Sequence, residues 1–167
     1  GEVWPKAVDY LRQAGAAAFA RGSVAESLAR YEQALAFAGR LDTSRENLER
    51  AIDVRLDLHV PLVVLGQIAR LVTLHEESER LARDLGDSPR LARLLYRMSQ
   101  YAWIEGRFKD GLERAGQALE IATTIGDAEV RVLATYALGL NQCLLGAHRE
   151  AIALFERVLD GPDTHIA

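Results

Sequence analysis

Three glycines, Gly66, Gly106 and Gly146, recur at forty-residue intervals, and a Gly-Asp pair, Gly86-Asp87 and Gly126-Asp127, recurs at the same interval halfway between them. A fixed period of about 20 to 50 residues marks stacked copies of one supersecondary unit, each burying its apolar face against its neighbours. Chains of this kind work through an extended surface more often than through a catalytic pocket.

The content of the unit is legible between Leu95 and Ala122. There Leu95, Met98 and Ala102, then Phe108, Leu112, Ala115, Ala118, Leu119 and Ala122, recur at spacings mainly of three and four. That is the period of two amphipathic helices. Gly106 falls between them, where a helix end can use a left-handed glycine, so the unit is a helix hairpin. Forty residues on, Leu138, Gly139, Gln142, Gly146, Ala151, Phe155 and Leu159 repeat the arrangement, and Leu11, Gly15, Ala18, Gly22, Tyr31, Ala34 and Leu35 anticipate it. The fold class predicted is all-α, tandem antiparallel hairpins of about eight helices, at 5–21, 23–40, 44–65, 67–85, 89–105, 107–125, 128–145 and 147–159. They form one domain over 1–160, with hairpins at 5–40, 44–85, 89–125 and 128–159 and a loose tail at 161–167.

Local chemistry sharpens the boundaries. Asp87 or Ser88 ahead of Pro89, Asp127, and Thr43 or Ser44 are suited to cap helix starts. Gly15 and Gly139, with Ala34, Ala118 and Ala151 on the second helices, should let paired helices approach closely. Pro61 breaks the local rules: inside the long third helix it removes an amide donor and crowds the carbonyl of Asp57. A kink or break is expected there, at a cost of about 3 kcal/mol.

Composition excludes several classes of function. The formal net charge of −4 argues against the clustered basic face that a nucleic acid would require. A single cysteine, Cys143, rules out an internal disulfide framework and a cysteine-based zinc site of the usual spacing. It lies in an apolar helical pattern and is expected to be a small core side chain. The four histidines, His59, His75, His148 and His165, have no two closer than sixteen residues, so spacing assembles no metal-ligand set. No cofactor is expected. The longest apolar run, Val60 to Gly66, is interrupted by Pro61 and falls short of the roughly 20 residues that span a bilayer. The reading is a cytoplasmic protein without membrane association, its ends cut from something larger.

These hairpins resemble the tetratricopeptide repeat, whose pattern is a large residue, Leu-Gly and an aromatic on the first helix, then Ala-x3-Phe on the second. Leu138-Gly139, Gly146, Ala151-x3-Phe155 and Leu159 carry it best, and Gly15, Gly22, Tyr31 and Ala34-Leu35 come close. The third unit keeps Gly106, Phe108 and Ala118-Leu119 but has Ser99 and Gly111 where the family prefers Gly and Ala. The second departs most, with Leu71, His75 and Ser78 where Ala, an aromatic and Ala are expected. A narrower likeness, through 51–58, 82–87 and 116–122, is to the C-terminal repeat region of large bacterial signalling proteins. In those proteins a class III nucleotide cyclase domain and a signalling ATPase domain precede the repeats. This chain has no Gly-rich Lys-Ser/Thr phosphate loop, so catalysis implied by that likeness lies outside these residues.

The resemblance implies a concave groove lined by one face of each first helix. That face carries Arg93, Tyr96, Arg97, Gln100 and Trp103 in the third unit and Tyr136 in the fourth, which we take as the partner-binding set. Aromatic residues beside arginine are the composition of binding hot spots, and an arginine fork suits a carboxylate. The competing role for Trp103 and Tyr136 is packing between hairpins. A clamp for a partner's terminal carboxylate would use Arg12, Arg93 and Arg97, but Ala16 and Asp57 stand where it needs asparagines. No nucleophile, base and orienting partner can be assembled.

The function expected is therefore a non-catalytic interaction or scaffolding module that binds a peptide or partner domain, including a domain of its own parent chain. The alternative is a small-ligand sensor regulating an upstream nucleotide cyclase or ATPase domain. A third reading is self-association through the edge hairpins.

Overall fold

In the computed structural model, which describes residues 3–159, the described residues form nine helices and no strand. They are α1 (Val3–Ala20), α2 (Val24–Ala38), α3 (Arg45–Asp57), α4 (His59–Val64), α5 (Ile68–Leu85), α6 (Ser88–Ile104), α7 (Phe108–Ile125), α8 (Ala128–Leu144) and α9 (His148–Leu159). Tandem antiparallel hairpins pair α1 with α2, α3 and α4 with α5, α6 with α7, and α8 with α9. The proposed loose tail, 161–167, lies outside the described residues.

The glycine ladder explains where helices stop. Gly66, Gly86, Gly106, Gly126 and Gly146, together with Gly22, all have positive φ, between 63° and 82°. After the left-handed residue the next amide turns back onto the helix just ended. Ser23 N donates to Ala18 O at 3.0 Å, Gln67 N to Leu62 O at 2.8 Å, Arg107 N to Ala102 O at 2.8 Å and Ala147 N to Gln142 O at 2.9 Å. A carbonyl that the helix leaves unpaired is thereby satisfied, and the chain reverses within a few residues. Starts are capped less uniformly. Asp127 accepts from Val130 N at 3.0 Å and Asp87 from Arg90 N at 3.2 Å, whereas Ser44 makes no side-chain cap.

The helices gather into two compact units, one ending at Gly86 and the other beginning at Asp87, so the boundary falls inside a repeated Gly-Asp pair. In the first unit Val8 and Leu11 of α1, Ala34 and Ala38 of α2 and Val54 of α3 form a core cluster. In the second, Leu95 and Tyr96 of α6 meet Ala115 and Ala118 of α7 and Ala134 and Ala137 of α8. Alanines on the middle helix let its neighbours' larger side chains reach inward, the size alternation that close helix packing requires.

The seam within each hairpin is built from residues sixteen apart. Tyr31 lies directly over Gly15 and Phe155 over Gly139; a Cβ on either glycine would stand 2.6 Å from the ring's Cε1. The close approach expected at Gly15 and Gly139 thus has a specific partner, the aromatic ring of the returning helix. In the third hairpin Ser99 and Ala115 hold the corresponding places, both buried. In the second the pair is His59 and His75.

Pro61 interrupts the third predicted helix, which divides into α3 and α4 at Leu58. The backbone stays near helical there, at φ −66° and ψ −17°, and Leu58 still donates to Val54 O at 3.1 Å and accepts from Leu62 N at 3.1 Å. What proline removes is the one amide that would have served Asp57 O. Cys143 corrects an expectation: it is exposed, not a core side chain. It belongs to the last turn of α8, where Leu144 and Leu145 are exposed as well, so the apolar pattern there does not mark burial.

Candidate functional site

Five of the six partner-binding residues expected from sequence sit on α6, and the structure joins three of them. Arg97 places its guanidinium 5.5 Å from the centre of the Tyr96 ring, and Nη1 donates to Gln100 Oε1 at 3.4 Å. Gln100 Nε2 in turn donates to the Tyr96 hydroxyl at 3.0 Å. Gln100 lies three residues from Arg97 and four from Tyr96, so the helix itself brings the amide to both. Tyr96 is only 7% exposed and belongs to the core cluster, so it serves as the floor under Arg97. Burial pushes its phenol above the ordinary range, Arg97 draws it down, and Tyr136 and Glu129 push it up again.

The remaining members are more dispersed. Arg93 is 53% exposed and lies 3.9 Å from Asp127, the cap of α8, a loose ion pair of small energetic weight. Tyr136 on α8 is 46% exposed and packs at a tilt against Phe155, ring centres 5.6 Å apart. The side chain of Trp103 lies outside the described residues. Arg97 has no carboxylate within salt-bridge distance among the described residues; its contacts are an aromatic face and an amide.

Arg12, the third basic position of the clamp, is engaged differently. Its Nε donates to Asp57 Oδ2 at 2.6 Å and its Nη1 reaches Asp53 Oδ2 at 3.4 Å. Burial pushes Asp57 above the usual carboxylate range while Arg12 pulls it back. The guanidinium that a carboxylate ligand would need is committed to α3. A recess of about 420 Å³ beside it is walled by Asp9, Arg12, Gln13, Ala16, Tyr31 and Asp57. A second recess, of about 300 Å³, lies among Gly106 to Asp110 and Leu145.

Two arrangements escaped the sequence reading. Asn141, 1% exposed, packs over Gly111, where a Cβ would collide with its Oδ1; its Nδ2 donates to Ala137 O at 2.8 Å. A glycine of α7 where the repeat prefers alanine therefore makes room for a polar side chain of α8. His59 and His75 stack, with ring centres 5.3 Å apart and planes 9° from parallel. The sixteen-residue offset shared with Gly15–Tyr31 and Gly139–Phe155 is the signal that would have paired them.

Among the described residues no group of three or more metal-ligating side chains converges, and no helix is long and apolar enough to cross a membrane. No family model matches the chain, and no curated protein matches it. Among solved structures it is similar to a Podosopora anserina putative kinesin light chain with nearly identical TPR-like repeats, at 15% identity over 100% of both chains and a TM-score of 0.44. A point variant of that protein aligns at 16% identity over 91% of this chain and 92% of that one, with a TM-score of 0.43.

Proposed function

We propose that this chain is a non-catalytic interaction module that binds a segment of another protein, or of another domain of its parent, on the α6 face carrying Arg93, Tyr96, Arg97 and Gln100. Trp103 shares that register, and Tyr136 of α8 contributes an exposed aromatic. The observation that carries the reading is Arg97. A guanidinium held over a buried ring, braced by an amide and without an acidic partner among the described residues is preorganised for a carboxylate from outside, which suits an acidic peptide. Arg12, already bridged to Asp53 and Asp57, would have no part in binding.

The alternative, a small-ligand sensor acting on an upstream cyclase or ATPase domain, calls for an enclosed apolar pocket with a few polar groups. The charged walls of the recesses beside Arg12 and Arg107 favour the groove reading instead. The parent context we attach, a larger cytoplasmic bacterial signalling protein, rests on the three short runs that resemble such proteins.

The test is binding of a fluorescent library of acidic, aromatic-containing peptides, read by anisotropy. The double variant R97A/W103A should weaken the best peptide roughly tenfold or more, as loss of a charged hydrogen bond and an aromatic anchor would, with helicity by circular dichroism unchanged. Equal affinity in the folded variant would remove this face from consideration.

A further inference from the structure

The second helix of each hairpin starts just after a ladder glycine, Gly22, Gly66, Gly106 or Gly146, so equivalent positions on the four can be compared. Six residues past the glycine the side chain is apolar every time. Leu28, Val72 and Leu112 are half-buried there, whereas Ile152 of α9 is 56% exposed. Three and ten residues past the glycine stand Ala25 with Glu32, Ala69 with Glu76, and Lys109 with Gly116. Of the four helices only α9 carries opposite charges at the two positions, Arg149 and Glu156.

The inward face of α9 is already satisfied, since Ala151 is buried and Phe155 covers Gly139 of α8. Arg149, Ile152, Ala153 and Glu156, spaced by three, four and seven, share the opposite face, and all four are exposed. Arg149 and Glu156 stand two turns apart, about 10 Å along the axis, beyond the three- and four-residue spacings at which helix ion pairs form. Between them, at those nearer spacings, are only Ile152 and Ala153. Neither charge makes an ion pair among the described residues. The face thus offers a positive end, a large apolar residue beside a small one, and a negative end.

Such a face is complementary to itself in one orientation. Two antiparallel copies, related by a twofold axis level with Ile152 and Ala153, set Arg149 of each against Glu156 of the other and Ile152 against Ala153, and every contact is made twice. A parallel pair would oppose Arg149 to Arg149. We propose that the outer face of α9 docks on α9 of a second copy of this chain in that antiparallel arrangement. One helix from each copy lies at the small end of protein interfaces, so the dimer is weak, with a dissociation constant on the order of 0.1 mM.

Sedimentation equilibrium of the whole chain between about 10 µM and 1 mM brackets that constant. The weight-average mass should climb from the single-chain 18.4 kDa toward twice that value. R149E and E156R each convert two attractive contacts into two repulsive ones and should weaken dimerisation roughly tenfold or more. Mixed in equal amounts they should associate, because one chain then presents two carboxylates and the other two guanidiniums, and R149E/E156R should regain wild-type behaviour. Both positions are exposed, so helicity by circular dichroism should be unchanged. This pairing is overturned by a single-chain mass throughout the range, the result expected where another stretch of the same chain covers the face. It is equally overturned by single reversals that associate like wild type, or by a mixture that stays monomeric. Should a reversal lose helicity, I152E, which sets a carboxylate on each side of the axis, takes its place, and undiminished association then overturns the pairing.

Discussion

At the scale of single residues, this fold is sensitive where a ring lies on a glycine. Gly15→Ala forces the buried Tyr31 ring aside, because a Cβ would sit 2.6 Å from it. We expect a loss of about 1–3 kcal/mol in urea denaturation, the ordinary range for overpacking a core. Gly116 makes the contrast: it is helical, with nothing within 4 Å of an added methyl and no positive φ. Gly116→Ala should stabilise by about 0.5–1 kcal/mol, from helix propensity alone. Tyr96 supplies a pH prediction. Its phenol is raised above its unfolded value, chiefly by burial. The stability it contributes is therefore present below about pH 10 and is lost as the pH climbs through the folded value. Tyr96→Phe should flatten the alkaline limb of the stability profile, and an unaltered limb would mean the hydroxyl ionises alike in both states.

At the scale of helices, the turns carry the most legible information. The ladder glycines are readable as helix ends from sequence, because only glycine tolerates φ near +70° without cost and because their spacing repeats. Gly106→Ala, with open space around it but φ of 72°, should cost about 1–2 kcal/mol through backbone strain alone. A cost near zero would show that the loop rearranges. The division at Leu58 was also legible, since proline's missing donor is a local fact. The bonds that Leu58 keeps on either side were not, because they depend on how α4 packs against α2 and α5. The α6 triad stands between these cases: spacings of four and three set Tyr96, Gln100 and Trp103 on one face and Arg93 one turn from Arg97, but only packing made Tyr96 the floor beneath Arg97.

At the scale of the whole chain, contacts within each unit join mainly consecutive helices, so stability is distributed among neighbouring interfaces rather than stored in one centre. Trp4 belongs to the unit ending at Gly86 and Trp103 to the unit beginning at Asp87. Single-tryptophan variants, W4F and W103F, would report the two separately. Distinct urea midpoints are expected. Coincident midpoints would mean the hairpins melt as one cooperative block.

By itself the sequence determined what short-range chemistry controls: hairpins, their period, their glycine ends and the break that proline imposes. It misplaced Cys143, because an apolar pattern cannot say whether a neighbouring element covers it. It treated His59 and His75 as unrelated, because sixteen residues is distant along a helix yet adjacent across a hairpin. It could not pair Asn141 with Gly111 or commit Arg12 to Asp53 and Asp57, since each contact joins different helices. Those decisions belong to tertiary structure for one physical reason. Backbone conformation follows from each residue's own sterics, whereas burial, pairing and charge follow from what another helix brings against it.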